Sequence, residues 1–200
     1  MVTQDGQTAV LASGNPGKLF ELSAILAPLG LTLKSLADFQ VPEAEENGLS
    51  FVENAIIKAR AAAEFTGLPA IADDSGLEVD YLKGAPGIHS ARYSGNGDDA
   101  NNLKLLAELA GLPESQRGAR FQCALVYMRH ALDPMPLVCQ ASWEGRILAE
   151  PQGANGFGYD PLFYVPEHQC SSAELTAGLK NRISHRARAS VLLLEALRQR

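Results

Sequence analysis

Two adjacent carboxylates, Asp73 and Asp74, follow the apolar run Pro69-Ala70-Ile71-Ala72, and a lysine closes the small-residue stretch Ser13-Gly14-Asn15-Pro16-Gly17-Lys18. Together these residue types suggest phosphate chemistry. Neighbouring carboxylates are costly to hold together unless a cation or hydrogen-bond donors compensate them. Magnesium, which takes a few carboxylates, several waters and substrate phosphates, fits such a pair better than calcium or zinc. Glu45 and Glu46 could add a ligand, although a solvated acidic loop is the favoured reading for them. For the aspartates, a turn or helix cap with exposed carboxylates is the competing account.

The lysine stretch resembles a phosphate loop but fails the G-x-x-x-x-G-K-[ST] pattern, since Ala12 stands at the first glycine position and Leu19 at the hydroxyl. The physics survives without the motif, because free N–H groups at a helix start favour an anion and Lys18 adds a full charge. An ordinary strand-to-helix turn with a solvated lysine explains the hexapeptide equally well. Phe157 and Tyr159 lie in a second glycine-rich loop, 153–160, where a ring could stack on a base or plug a core. Lys180 and the pair His185-Arg186 offer donors to an anion or a base edge, or are surface residues.

The elements that must hold these residues read as an α/β alternation. Thr8 to Ala12 is a strand, and Asn15 and Pro16 suit the cap and first turn of a helix running to Leu29, with Gly30 as its stop. Leu31 to Leu36 is a second strand. Ser50 and Glu53 form a capping box for a helix whose apolar face is Val52, Ala55, Ile56, Ala59, Ala62 and Ala63, ending at Gly67. Lys58 lies one turn after Asn54 on that helix, so both could face the ligand cleft; a solvent-facing lysine is the competing account. Pro69 to Ala72 reads as a short buried strand ending in Asp73-Asp74-Ser75-Gly76, and Leu77 to Leu82 as another. The stretch 84–97 reads as irregular, and Asp98 as the cap of a helix carrying Leu103, Leu106, Leu109 and Ala110. Strands follow at Phe121 to Tyr127, with one buried face, at Leu137 to Trp143 and near Leu162 to Val165. A final helix, capped by Ser184, turns Ala187, Val191, Leu194 and Leu197 inward. An α/β domain with a mixed sheet is expected.

With 200 residues, 46% of them hydrophobic, the chain can bury a core of its own and is expected to form one domain over 1–200. Its formal charge of −6 argues against a nucleic-acid polymer as partner. Cys123, Cys139 and Cys170 are odd in number, far apart and without a C-x-x-C, which speaks against a disulfide framework or a structural zinc. There is no apolar run of about 18 residues and no signal-like N-terminus, so a cytoplasmic protein without membrane attachment is expected.

Taken in order, SGNPGK at 13–18, AEENG at 44–48, SFVENAIIKA at 50–59, IADDSGLEVDYLKGAPGIHSARYSG at 71–95, GFGYDP at 156–161, AEL at 173–175 and ISHR at 183–186 closely resemble the inosine triphosphate pyrophosphatase family, the dITP/XTP pyrophosphatases. The likeness covers nearly the whole chain. It implies an elongated, two-lobed α/β domain around a long mixed β-sheet with flanking helices, usually a homodimer. It also implies a Mg2+-dependent enzyme that converts ITP, dITP and XTP to the monophosphate and pyrophosphate, keeping these purine nucleoside triphosphates out of DNA and RNA. Carried over, Ser13, Gly14, Asn15, Pro16, Gly17 and Lys18 bind the triphosphate. Asp74 is proton acceptor and metal ligand, with Glu45 and Asp73 beside the metal, and Ser75 touches substrate. Phe157, Gly158, Tyr159, Asp160, Lys180, His185 and Arg186 bind nucleotide. Lys58 is not among the residues so carried over; its place on the helix makes it a further candidate to neutralise the phosphates. A related Maf-type pyrophosphatase, against which GFGYDP and ISHR speak, and a nucleotide-binding regulatory module are the rival readings.

Overall fold

The computed structural model describes residues 8–14, 16–40, 42 and 44–200. Asn15 therefore lies outside the described residues, as does Glu43. Seven strands form one mixed sheet in the order β2-β1-β3-β4-β5-β6-β7. They are β1 (Thr8–Leu11), β2 (Thr32–Ser35), β3 (Ala70–Val79), β4 (Gly118–Met128), β5 (Leu137–Ile147), β6 (Phe163–Val165) and β7 (Cys170–Ser171). Five α-helices accompany them among the described residues: α1 (Pro16–Leu26), α2 (Phe51–Thr66), α3 (Asp98–Glu108), α4 (Ala177–Ile183) and α5 (His185–Arg198). No helix among the described residues is long and apolar enough to cross a membrane.

The chain divides into two compact units. The first comprises the described part of Met1–Asp74 with Cys123–Ala141 and Ala187–Arg200, and the second comprises Ser75–Gln122 and Ser142–Arg186. The dividing points fall inside β3, β4, β5 and α5.

In the first unit β1 lies parallel to β2, with Val10 opposite Lys34, and parallel to β3, with Leu11 opposite Ile71. Parallel strands are covered on both faces, and successive side chains alternate between them. Val10, Ala12, Ala70, Ala72, Ala124 and Val126 accordingly pack with Ala55, Ala59, Ala62 and Ala63 of α2. Their neighbours Leu11, Ile71, Cys123, Leu125 and Tyr127 pack with Leu22 and Leu26 of α1 and Ala189 and Leu193 of α5. The alanine-rich face of α2 lets that helix sit close to the sheet, which matters below because α2 carries Lys58. Each fully buried leucine on the other face contributes about 1.5–3 kcal/mol.

In the second unit β5, β6 and β7 are antiparallel, with Ile147 opposite Phe163 and Val165 opposite Cys170. Its core gathers Leu77, Val79, Leu105, Leu109, Phe121, Trp143, Tyr159, Leu162 and Phe163. Arg117 is buried there and donates to the carbonyls of Leu109, Leu112 and Leu148, so none of its charge rests on an unpaired group.

Several elements differ from the sequence expectation. The two strands at 69–72 and 77–82 are one strand, β3, and Asp80 to Leu82 is a 3-10 turn. Asp73-Asp74-Ser75-Gly76 reads as a turn only while its partners are unseen; in the fold the aspartates are paired and the ladder runs through. From Cys123 onward β4 is buried on both faces, because helices cover both. Gly97, not Asp98, precedes α3 as its cap. Asn101, Leu105 and Leu109 form the buried face of that helix, and Leu103 is exposed. On α5 the inward positions include Ala189, Ser190 and Leu193, while Val191 faces solvent. Ser184 ends a separate short helix, α4, immediately before α5.

Candidate active site

In the first unit β1 ends at Leu11, the chain passes through Ser13 and Gly14, and α1 begins at Pro16. Lys18 lies in the first turn of α1, where orphan backbone N–H groups gather. Its ammonium forms an ion pair with Asp73 Oδ1, whose side chain is fully buried. The Cys123 thiol donates to Asp73 Oδ2 at 3.3 Å. Asp73 thus fixes the lysine head group beside the loop.

Asp74 takes a different partner. Lys58 Nζ donates to Asp74 Oδ1 at 2.6 Å and lies 3.4 Å from Glu46 Oε1. Burial holds the Asp74 carboxyl above its ordinary range; Lys58 pulls it back down, while Glu46 and Asp73 push it up. The capped start of α2 aims Lys58. Ser50 Oγ accepts the N–H of Glu53 at 3.2 Å, and Glu53 Oε2 accepts the N–H of Leu49 at 2.9 Å. Asn54, wholly buried, accepts the N–H of Gly48 at 2.9 Å. A Cβ on Gly48 would stand 2.7 Å from Asn54 Oδ1, so only glycine lets the 44–48 segment approach α2 this closely.

These groups surround a pocket of about 160 Å³ lined by Ser13, Gly14, Lys18, Glu46, Lys58 and Asp73, among others. Pockets for whole drug-sized ligands run to roughly 300–1,000 Å³. The pocket is therefore smaller than a whole nucleotide needs, and its lining carries two ammonium groups. Asp74 is absent from its lining and reaches it through Lys58. Glu45, the sequence expectation for a metal ligand, is exposed, and its neighbour Glu46 is the residue that meets Lys58.

The chemistry of this donor set fits a hard divalent cation. Asp73, Asp74 and Glu46 bring three carboxylates against the two ammonium groups of Lys18 and Lys58. Among the described residues no three His, Cys, Asp or Glu side chains are grouped closely enough to hold a metal ion by themselves. A hard cation bound here would need further ligands from water or substrate oxygens.

The second unit carries the remaining sequence candidates. Asp160, 2% exposed, accepts the N–H of Phe157 at 2.8 Å and the hydroxyl of Ser172 at 2.8 Å, and pairs with Lys180. Gly156 has φ +80° and its missing Cβ leaves room for the Asp160 carboxylate, so the loop closes over its own aspartate. The Phe157 ring is about half exposed, with Lys180 Nζ 5.1 Å from its centre. Tyr159 is buried and its hydroxyl donates to the carbonyl of Ser90 at 2.8 Å. Arg186 is buried and donates to Ser75 Oγ at 3.2 Å. His185 stacks on Phe121 at 4.9 Å between ring centres and lies against the Trp143 ring. Tyr159 and His185 are therefore built into the core, and Phe157 is the exposed ring of the set.

The sequence reading named Asn54 only as a companion of Lys58, without its bond to Gly48, and missed Cys123 and Ser172 as members of these networks. Cys123 and Ser172 had no readable signal, because their partners lie on other strands and loops.

Residues 9–196 match the model of the Ham1 family. The dITP/XTP pyrophosphatase of Thioalkalivibrio sulfidiphilus is 60% identical over 96% of this chain and 98% of its own length. The dITP/XTP pyrophosphatase of Vibrio cholerae is 56% identical over 95% of this chain and 96% of its own. The solved structure of a HAM1 protein from Coxiella burnetii superposes with a TM-score of 0.92 at 48% identity, covering 97% of this chain and all of that one.

Proposed function

The chain belongs to the Ham1 family, and on that premise we propose that it hydrolyses the deaminated purine nucleoside triphosphates ITP, dITP and XTP to the monophosphate and pyrophosphate, clearing them from the nucleotide pool. The names of its relatives supply the substrate class. The observation that carries the reaction is the pair of lysine–aspartate contacts, Lys18 with Asp73 and Lys58 with Asp74, around a phosphate-sized pocket at a helix start.

Hydrolysis at the α-phosphorus needs a water in line with the departing pyrophosphate, and positioning and charge neutralisation supply most of the rate. Asn15 is part of the proposed loop, and Ser13 to Lys18 with the start of α1 bind phosphate oxygens. Lys58 holds Asp74 in place and adds positive charge. Asp74 orients the water and takes its proton; burial, by raising its proton affinity, makes it a better base. Bound Mg2+ would be held by Asp74, Asp73 and Glu45 or Glu46 and would supply charge neutralisation on the phosphates.

For the base, side chains of the resemblance motifs GFGYDP and ISHR are proposed. Phe157 offers a ring face. Arg186, which has only donors, suits the 6-oxygen of hypoxanthine or xanthine and leaves a mismatch with the 6-amino group of adenine. A homodimer in the cytoplasm completes the proposal.

The test incubates the purified protein with magnesium and, separately, ITP, XTP, GTP and ATP, resolving nucleotides by anion exchange and assaying pyrophosphate. Fast release of pyrophosphate and monophosphate from ITP and XTP, with GTP and ATP nearly untouched, is expected. Tight nucleotide binding without turnover would overturn the proposal in favour of a regulatory binder.

A further inference from the structure

The exposed Phe157 ring sits on a loop whose geometry is set from elsewhere in the second unit. Asp98 and Asn102 stand one turn apart on α3 and so share a face. Asp98 Oδ2 accepts the N–H of Gly158 at 2.8 Å, and Asn102 Nδ2 donates to the carbonyl of the same glycine at 2.9 Å. These partners lie 60 and 56 residues from Gly158 in sequence. The two bonds grip the peptide units on either side of Gly158, whose φ of +62° belongs to the left-handed region. Phe157 precedes this residue and the buried Tyr159 follows it.

The same stretch of α3 secures the neighbouring segment. Asn101, 2% exposed, accepts the N–H of Ser94 at 2.6 Å and donates to the carbonyls of Ser90 and Ala91 at 3.3 and 3.2 Å. The Ser90 carbonyl is also the acceptor of the Tyr159 hydroxyl. Asp160 holds the N–H of Phe157. Between Phe157 and Asp160 the backbone is thus fixed at three successive points, and two of the side chains that fix it come from α3.

We infer that Asp98 and Asn102 are positioning residues for the substrate base, acting through the Phe157 ring; this rests on the proposed function above, in which that ring meets the base. Both residues hold loop backbone, so the contribution belongs to binding and orientation. It follows that a loss at α3 weakens ground-state and transition-state binding together.

Steady-state kinetics with ITP on the full chain test this with wild type, Asp98→Ala, Asp98→Asn, Asn102→Ala, Phe157→Ala and the double variant Asp98→Ala/Phe157→Ala. Asp98 is exposed, so its variants are expected to fold. Asp98→Ala and Asn102→Ala should each raise KM about tenfold with kcat changed by less than about twofold, the signature of lost uniform binding. Asp98→Asn, whose amide oxygen still accepts the Gly158 N–H, should restore most of the KM. In the Phe157→Ala background the Asp98 change should be nearly silent. An equal KM rise with and without the ring, an unchanged KM, or a fall in kcat alone would overturn the inference. If Phe157→Ala raises KM while Asp98→Ala does not, the α3 role falls and the proposed function stands. If wild type leaves ITP intact, both fall.

Discussion

Replacing Asp160 removes three interactions at once, and the structure sets the size of the effect. Its carboxylate is 3% exposed and receives Phe157 N–H, Ser172 O–H and the Lys180 ammonium, itself 15% exposed. Breaking a buried pair by deleting one partner costs about 3–5 kcal/mol, because the other charge is left uncompensated. For a chain of this size each kcal/mol moves Tm by about 2–4 °C, so Asp160→Ala should lower Tm by roughly 6–20 °C. Removing both charges is far less costly, since the penalty lies in the orphaned ammonium and not in the absence of the pair. Asp160→Ala/Lys180→Met should therefore recover part of the loss, with a coupling of about 1.5–3 kcal/mol between the two sites. Thermal unfolding of the four proteins followed by circular dichroism reads this cycle. Additivity to within about 0.5 kcal/mol would refute the reasoning, since it would show that Lys180 does not depend on Asp160.

Asp74→Asn should lose about a hundredfold or more in kcat while retaining nucleotide affinity, measured by turnover of ITP and by equilibrium binding. The kcat/KM profile should fall along an acidic limb, because Asp74 acts only when ionised; burial raises its pKa in the metal-free protein. Removing the Glu46 carboxylate with Glu46→Gln should shift that limb to lower pH, and removing the Lys58 ammonium with Lys58→Met should shift it to higher pH; shifts of like sign would refute Asp74 as the titrating base. Stripping divalent cations with a chelator should abolish turnover, and added magnesium should restore it.

The strand-to-helix loop at 13–18, the capped α2 and the Asp73-Asp74 pair were legible because each rests on local chemistry: a proline at a helix start, a Ser50 cap, two carboxylates after an apolar run. The expected Ser50–Glu53 capping box is only half formed, since Glu53 accepts the N–H of Leu49 and not that of Ser50. Strand β3 was not legible across its middle. Serine, glycine and paired aspartates signal a turn when read by themselves, and partners distant in sequence, Lys18, Cys123 and Lys58 among them, stabilise an extended conformation there. The register of α3 was misread for a related reason. Asn101 occupies the buried face because it satisfies backbone groups at 90–94, a role that hydrophobic periodicity cannot register. The grip of Asp98 and Asn102 on Gly158 spans more than fifty residues and has no local signature.

Placing the aspartates inside a strand also explains how two adjacent carboxylates coexist. Successive residues of a strand point to opposite faces. Asp73 follows the face of Ile71 and Cys123, where α1 delivers Lys18, and Asp74 follows the face of Ala70 and Ala72, where α2 delivers Lys58. A turn would have presented both acids to the same surroundings. The pleat instead gives each its own cation from its own helix, which reduces their mutual repulsion. Asp73, fully buried, anchors Lys18; Asp74, slightly exposed and held by Lys58, keeps the access to solvent that the proposed proton acceptor requires. Two chemically identical side chains thus acquire different surroundings from the alternation of the strand and the helix packed against each face.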